Sequence, residues 1–403
     1  MKRIGLIVQR YGEEVNGGAE YHCKVLTEKL AAQFDVEVLT SCAKNHLTWE
    51  NEYVSGLTEV NGIKVRRFNT PHPRNRKKVR RLLKRLTNRS LMQKIERLFG
   101  FEKENVELGD EWSKAQGPFL PELVKYIDVH QAEYDVFIFF TYLYFPTFCG
   151  LRVAPQKSIL IPTAHDEPAI HLPIFECFFN LPKVILYNTL SEKRLINRLF
   201  NNENVYSDIV GVGIADVPLE GEQSASEILK ITDAYLIYIG RVDPGKGCNL
   251  MIEHFLKFKK LTGNPLKLVL VGKLDMELPS NSDILTLGFV EDKVKVALLK
   301  DAKALIMPSY YESLSMVTLE SMLEGVVVIA NESCEVLKDH IEAGKAGFVF
   351  NDFDSFRFAV ESVLNDDGLR LNQLKRNARQ YVLENYNWPL ILDKVNKAIN
   401  YIQ

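Results

Sequence analysis

Glu312 and Glu320 stand with seven residues between them in Ser309–Glu324, SYYESLSMVTLESMLE. A strand is expected to end at Pro308-Ser309 and a helix to begin shortly after it. Helix N-termini carry unpaired N–H groups and the positive end of the dipole, which suit phosphate or hydroxyl oxygens. The two carboxylates can each accept from a pair of vicinal hydroxyls, one pair on a hexose and one on a ribose. Alone the spacing is weak. Charged residues are 25% of the chain, and a solvated surface helix with two glutamates reads the same way.

Three further elements stand beside it. Gly240–Gly247, GRVDPGKG, places Arg241 and Lys246 around a Pro-Gly turn after the apolar run YLIYI. Two cations there can hold a diphosphate and neutralise the charge that grows as it leaves; as ordinary loop cations they would do neither. Gly17 and Gly18 follow Asn16 and open a helical pattern, where glycine lets the backbone approach a phosphate or sugar closely. The spacing is not the GxGxxG of a dinucleotide site, which makes an NAD enzyme a distant reading. In IPTAHDEP a strand ends in His165-Asp166, and a histidine at a strand's carboxyl end can bond a sugar hydroxyl. His22, His171 and His254 read as structural.

The elements that must position these residues are strands alternating with helices. IGLIV, VEVLT, VFIFF, SILIPT and VILYN succeed one another, and the pattern restarts at YLIYIG with KLVLVG, ILTLG, ALIMPS and VVVIA. Helices are expected over Leu250–Leu261, from about Lys293 to Lys300 and around Val317–Leu323. Such alternation implies parallel sheets covered on both faces, an α/β protein. At 403 residues two domains are the default. The expected division is 1–212 and 213–385, joined in Val210–Glu227 where Gly, Pro, Ser and acidic residues replace the apolar pattern, followed by a helix over 386–403. Ligands of such sheets bind at the carboxyl ends of the strands.

Composition narrows the classes. A hydrophobic fraction of 46% excludes disorder, and a net charge of −2 gives no global pull towards nucleic acid. The longest apolar run, Val136–Phe145, is about half a bilayer span. Met1-Lys2-Arg3 runs into a strand too short for a secretory core, which gives the expectation of a cytoplasmic chain. Six scattered cysteines form no CxxC pair and read as buried thiols. No metal is expected.

Together these elements resemble glycosyltransferase family 4, retaining enzymes of the GT-B fold, over nearly the whole chain. The likeness rests on Gly17-Gly18 with Ala19-Glu20, His165-Asp166, Val210–Asp216 (VGVGIAD), Gly240-Arg241 with Lys246-Gly247, and Pro308 through Glu320. It implies two Rossmann-like domains facing a central cleft, with the C-terminal helix crossing back to the first. It further implies that Glu320 binds the donor ribose, that Glu312 faces the donor sugar, and that Arg241 and Lys246 hold the diphosphate with Gly17-Gly18 approaching it. His165 would contact the hexose near C6, and backbone amides of Leu314, Ser315, Met316 and Val317 would line the pocket. Leu287–Val290 resembles the base-contacting loop, which works through its main chain at Val290. Ser315 stands where the family often has Gly, and its side chain is expected to narrow the sugar pocket. Glu324 and Val326, flanking Gly325, read as packing variation.

The resemblance implies transfer of a hexose from a UDP- or GDP-linked donor, as substrate rather than cofactor, to a saccharide or lipid-linked acceptor in cell-surface polysaccharide or glycolipid synthesis. No carboxylate suits a backside nucleophile, so front-face attack is expected, with the leaving diphosphate helping to take the acceptor proton. Asp352-Phe353-Asp354 spells D-x-D, the metal signature of the other main glycosyltransferase fold. Its place ahead of a helix makes Asp354 the expected N-cap instead. Two other readings fit the same residues: a nucleotide-sugar epimerase of this fold and a non-catalytic nucleotide-sugar-binding protein.

Arg74–Lys94 carries ten Lys or Arg and no acidic residue, with Val79, Leu82, Leu83 and Leu86 at helical spacing. It suits either an anionic membrane surface, peripheral at the inner face of the plasma membrane, or a solvated loop. No aromatic residues interleave the charges, so RNA is a poorer partner.

Overall fold

The computed structural model describes residues 1–96, 102–215, 224–365 and 368–402, and side chains outside 88–106. It forms two compact units. The first is Met1–Gly211 with Ile391–Gln403, and the second is Val212–Leu390. Asp216 and the rest of 216–223, part of the expected join, lie outside the described residues.

In the first unit the strands are β1 (Arg3–Ile7), β2 (Asp35–Ser41), β3 (Gly56–Val60), β4 (Ile63–Phe68), β5 (Val136–Phe140), β6 (Ser158–Ile161), β7 (Val184–Tyr187) and β8 (Tyr206–Ile209). They pair in the order β3-β4-β2-β1-β5-β6-β7-β8. Every residue of β5, β6 and β7 is buried, as an apolar run covered on both faces should be. β3 alone runs antiparallel, joined to β4 by Asn61-Gly62 with φ of 51° and 76°. That is the Asn-Gly two-residue hairpin, legible in the sequence but absent from the expected strands. The helices are α1 (Gly18–Leu30), α2 (Arg76–Glu96), α3 (Glu102–Gln116), α4 (Pro121–His130), α5 (Phe145–Gly150) and α6 (Leu190–Phe200). Leu82 and Leu86 of α2 are buried in the core, while Arg76, Lys77, Arg80, Arg81, Lys84 and Arg85 are exposed.

The second unit holds β9 (Tyr235–Ile239), β10 (Lys267–Val271), β11 (Ile284–Gly288), β12 (Ala304–Met307), β13 (Val328–Asn331) and β14 (Gly347–Phe350). All its pairings are parallel, in the order β11-β10-β9-β12-β13-β14. Its helices are α7 (Ala225–Leu229), α8 (Cys248–Thr262), α9 (Asp292–Asp301), α10 (Met316–Leu323), α11 (Glu335–Gly344), α12 (Phe353–Asn365) and α13 (Leu369–Asn385). The chain leaves β9 towards β10 and β11, then returns to add β12 on the other side. β9 and β12 therefore flank the topological switch point, where loops diverge and leave room for a ligand.

The last helix, α14 (Trp388–Tyr401), lies mostly in the first unit. Lys2 Nζ donates to Asn400 Oδ1 at 2.8 Å, Lys394 to the Ile209 carbonyl, and Tyr401 stacks on Tyr206.

Two expectations are corrected. All six cysteines are free, but Cys177 is exposed and Cys149 half-buried, so only four are buried thiols. Asp352, not Asp354, caps α12: its Oδ1 accepts from the Ser355 N–H at 2.8 Å and from the Ser355 hydroxyl at 2.6 Å. The helix starts at Phe353, so the residue placed to reach its third N–H is Asp352, and Asp354 lies exposed in the first turn beside Arg357.

Candidate functional site

The loops leaving β9 and β12 meet in the second unit. After β9, the Tyr238 hydroxyl donates to the Arg241 carbonyl at 2.8 Å and fixes the start of the Gly240–Gly247 loop. Asp243 accepts from the Lys246 N–H at 3.1 Å and also pairs with the Arg241 guanidinium. Gly247 has φ 74°, and a Cβ there would stand 2.3 Å from the Pro308 carbonyl oxygen. This close approach requires glycine, and it brings the basic turn against the end of β12. Lys246 Nζ then lies 2.7 Å from Glu312 Oε1, so two motifs far apart in sequence share one place.

Beyond Glu312 the chain turns into α10 at Ser315, whose φ of 60° and ψ of 69° are left-handed. That conformation costs a residue with a Cβ about 1–2 kcal/mol, a cost that glycine would not carry here. Ser315 is buried, and its hydroxyl lies 2.8 Å from Thr318 Oγ1. The side chain is thus held on the first turn of α10. The Leu314, Ser315, Met316 and Val317 amides stand at the N-terminal end of this helix, whose first N–H groups have no acceptor within it.

Glu320, inside α10, pairs with Lys295 of α9 at 2.9 Å. Burial pushes the Glu320 carboxyl above its ordinary range, and Lys295 opposes that shift. Burial works to lower the Lys295 ammonium, but Glu320 and Asp292 outweigh it and the net shift is upward. Lys295 was not foreseen. Its only sequence signal, a lysine three residues after Asp292 on a helix, is commonplace. His340 was likewise missed; its Nε2 lies 2.8 Å from the Leu314 carbonyl. Val290 is half-buried between Phe289, which is 67% exposed, and Glu291, the N-cap of α9.

Gly17, Gly18 and His165 belong to the first unit. Gly17 is the N-cap of α1 and Gly18 its first residue. Beneath them a buried ion pair joins Arg10 to Glu20 at 2.6 Å, and Arg10 also donates to the Asn16 carbonyl at 3.1 Å. A Cβ on Gly17 would stand 2.2 Å from the Glu20 carboxylate, so this pair shapes the glycine turn.

His165 follows β6 through Thr163, a β-branched residue at φ 50°. Its Nε2 is 3.9 Å from Glu167, and Glu167 accepts from the Tyr142 hydroxyl at 2.9 Å. The preceding Ala164 N–H donates to the fully buried Glu192, which also takes the Asn188 N–H at 2.6 Å. Burial raises the Glu192 carboxyl to about 8 against these two donors. His171, at 2.6 Å, partners Asp166.

Among the described residues no group of three or more His, Cys, Asp or Glu is arranged to hold a metal ion, and no helix is long and apolar enough to cross a membrane.

Residues 221–381, which hold Arg241, Lys246, Val290, Lys295, Glu312 and Glu320, match the family model of glycosyl transferases group 1. An uncharacterized glycosyltransferase of Methanocaldococcus jannaschii is 25% identical over 414 residues, covering 96% of this chain and 95% of the relative. The lipopolysaccharide 1,2-N-acetylglucosaminetransferase of Salmonella typhimurium is 25% identical over 190 residues, which is 41% of this chain and 47% of that one. The solved structure of sucrose-phosphate synthase from Thermosynechococcus elongatus matches with a TM-score of 0.65 at 16% identity, covering 99% of this chain and 98% of that one. Anabaena HepE in complex with UDP and glucose matches with a TM-score of 0.67 at 15% identity, covering 99% and 100%. The fold is GT-B: two Rossmann-like domains, each built on a sheet that is parallel apart from the edge strand β3 of the first.

Proposed function

We propose that this chain is a retaining glycosyltransferase that moves a hexose from a UDP- or GDP-linked donor to a saccharide acceptor, lipid-linked in the cell. The observation that carries the reading is the meeting of the Lys246–Glu312 pair with the α10 N-terminus at the β9/β12 switch point. A donor diphosphate entering there would compete with Glu312 for the Lys246 ammonium and with Asp243 for Arg241. Freed from those partners, the two cations would neutralise the charge growing on the leaving diphosphate. Glu312, released from Lys246, would accept from hexose hydroxyls, and Glu320 from the ribose. The match to glycosyl transferases group 1 over the same residues supports this assignment, and HepE was solved with UDP and glucose.

Retention would follow from front-face attack, with the diphosphate oxygen taking the acceptor proton and no metal in the step. His165 and the Gly17-Gly18 turn would complete the sugar and phosphate contacts from the first domain. The exposed cations of α2 would draw the protein to an anionic membrane surface at about 1 kcal/mol each, and a lipid-linked acceptor would be met there. The test is a panel of UDP-, GDP- and ADP-sugars, assayed for binding and slow hydrolysis with chelator present. One class of donor should bind and turn over. Binding of none would overturn the reading, and turnover that needs added manganese would overturn its metal-free step.

A further inference from the structure

His340 of α11 lies wholly inside the second unit, 2% exposed. Both ring nitrogens are engaged: Nε2 is 2.8 Å from the Leu314 carbonyl oxygen and Nδ1 is 3.1 Å from the Tyr381 hydroxyl. A carbonyl oxygen only accepts, so Nε2 carries the proton and Nδ1 takes the hydroxyl hydrogen of Tyr381. Burial lowers the imidazole to about 4, which keeps it neutral in this tautomer at ordinary pH. Behind it the Tyr386 hydroxyl stands 3.5 Å from that of Tyr381, and the Tyr386 carbonyl accepts from the Ile214 N–H at 2.7 Å.

The peptide joining Leu314 to Ser315 is planar, and in a trans peptide the C=O and N–H point in opposite directions. Holding the Leu314 oxygen against His340 therefore aims the Ser315 N–H away from the core. The left-handed backbone of Ser315 is one its own side chain disfavours, so the turn has no intrinsic reason to keep this orientation.

We infer that His340 is a positioning residue of the donor site, clamping the Leu314–Ser315 peptide so that the Ser315 N–H donates to the donor's β-phosphate and sugar. The inference rests on the nucleotide-sugar reading above. It assigns an effect to ligands that have a β-phosphate and none to ligands that stop at the first.

The test is calorimetric binding of a nucleoside diphosphate and the matching monophosphate, using the base found in the donor panel. His340→Leu removes the donor while keeping an apolar group of similar bulk. It should bind the diphosphate about tenfold more weakly, the worth of one well-placed hydrogen bond, and the monophosphate as the parent does. His340→Gln, whose amide can still donate to Leu314, should recover most of the loss. If His340→Leu does not fold, Tyr381→Phe is read in the same way, with an expected loss of about threefold for the diphosphate alone. An unaffected diphosphate affinity, or an equal loss for both nucleotides, would overturn the inference while leaving the function intact. A parent protein that binds no nucleoside diphosphate would overturn both.

Discussion

Lys246 and Glu312 form a 2.7 Å ion pair between the loop after β9 and the loop after β12. Both side chains are partly solvent-accessible, so the pair adds little to stability. Its consequence is for binding. The pair stands at the point where the second sheet's connections diverge, and in the proposed donor site Lys246 would meet the diphosphate and Glu312 a hexose hydroxyl.

Lys246→Ala should therefore fold normally and transfer sugar poorly. Removing a preorganised donor of this kind costs about 10²–10³ in rate. Melting temperature and kcat measured together check this: near-normal turnover would remove Lys246 from the mechanism.

Ser315 tests the local strain. Ser315→Gly should be at least as stable as the parent, because glycine adopts positive φ freely. Ser315→Val should lose on the order of 2–3 kcal/mol, because a β-branched residue fits that region worst. Urea denaturation of the two variants gives the comparison.

Glu192 predicts a pH dependence. Its carboxyl rises from 4.5 to about 8 on folding. Between those values the folded chain keeps a proton the unfolded chain has lost, so this group makes stability fall as pH rises. The slope is at most about 1.4 kcal/mol per pH unit. Glu192→Gln has no such proton, so its stability relative to the parent should improve steadily from pH 5 to pH 8. A constant difference across that range would show that Glu192 is ionised in the fold.

The cations of α2 predict salt-sensitive binding to anionic vesicles. The triple substitution Arg80→Glu, Arg81→Glu, Lys84→Glu changes only exposed positions, while Leu82 and Leu86 keep the helix in the core. Parent protein should float with phosphatidylglycerol vesicles and the variant should not. Parent protein left at the bottom of the gradient would end the membrane proposal.

Much of the architecture was legible because it depends on local periodicity. Short, aromatic and β-branched apolar runs such as VFIFF read as strands covered on both faces, and their alternation with helices implies parallel sheets. Asn61-Gly62 marks its hairpin just as clearly, but β3 is mostly exposed and β4 buries only alternate residues, so neither flanking strand is a fully apolar run. The cap of α12 was misplaced by two residues because capping depends on where the helix starts, and D-x-D offers two carboxylates to choose between.

The sequence by itself determined which residue types stand at the carboxyl ends of the strands: a basic turn, a glutamate loop, a glycine pair and a histidine. Only the tertiary structure decided their partners. Lys295 reaches Glu320 from another helix, His340 holds Leu314 from a third, and Glu192 anchors the backbone before His165. Each contact joins segments that no periodicity links. Each was settled by how the helices pack on the sheets, since a buried carboxylate, carbonyl or imidazole takes whatever complementary group the fold brings within hydrogen-bonding reach.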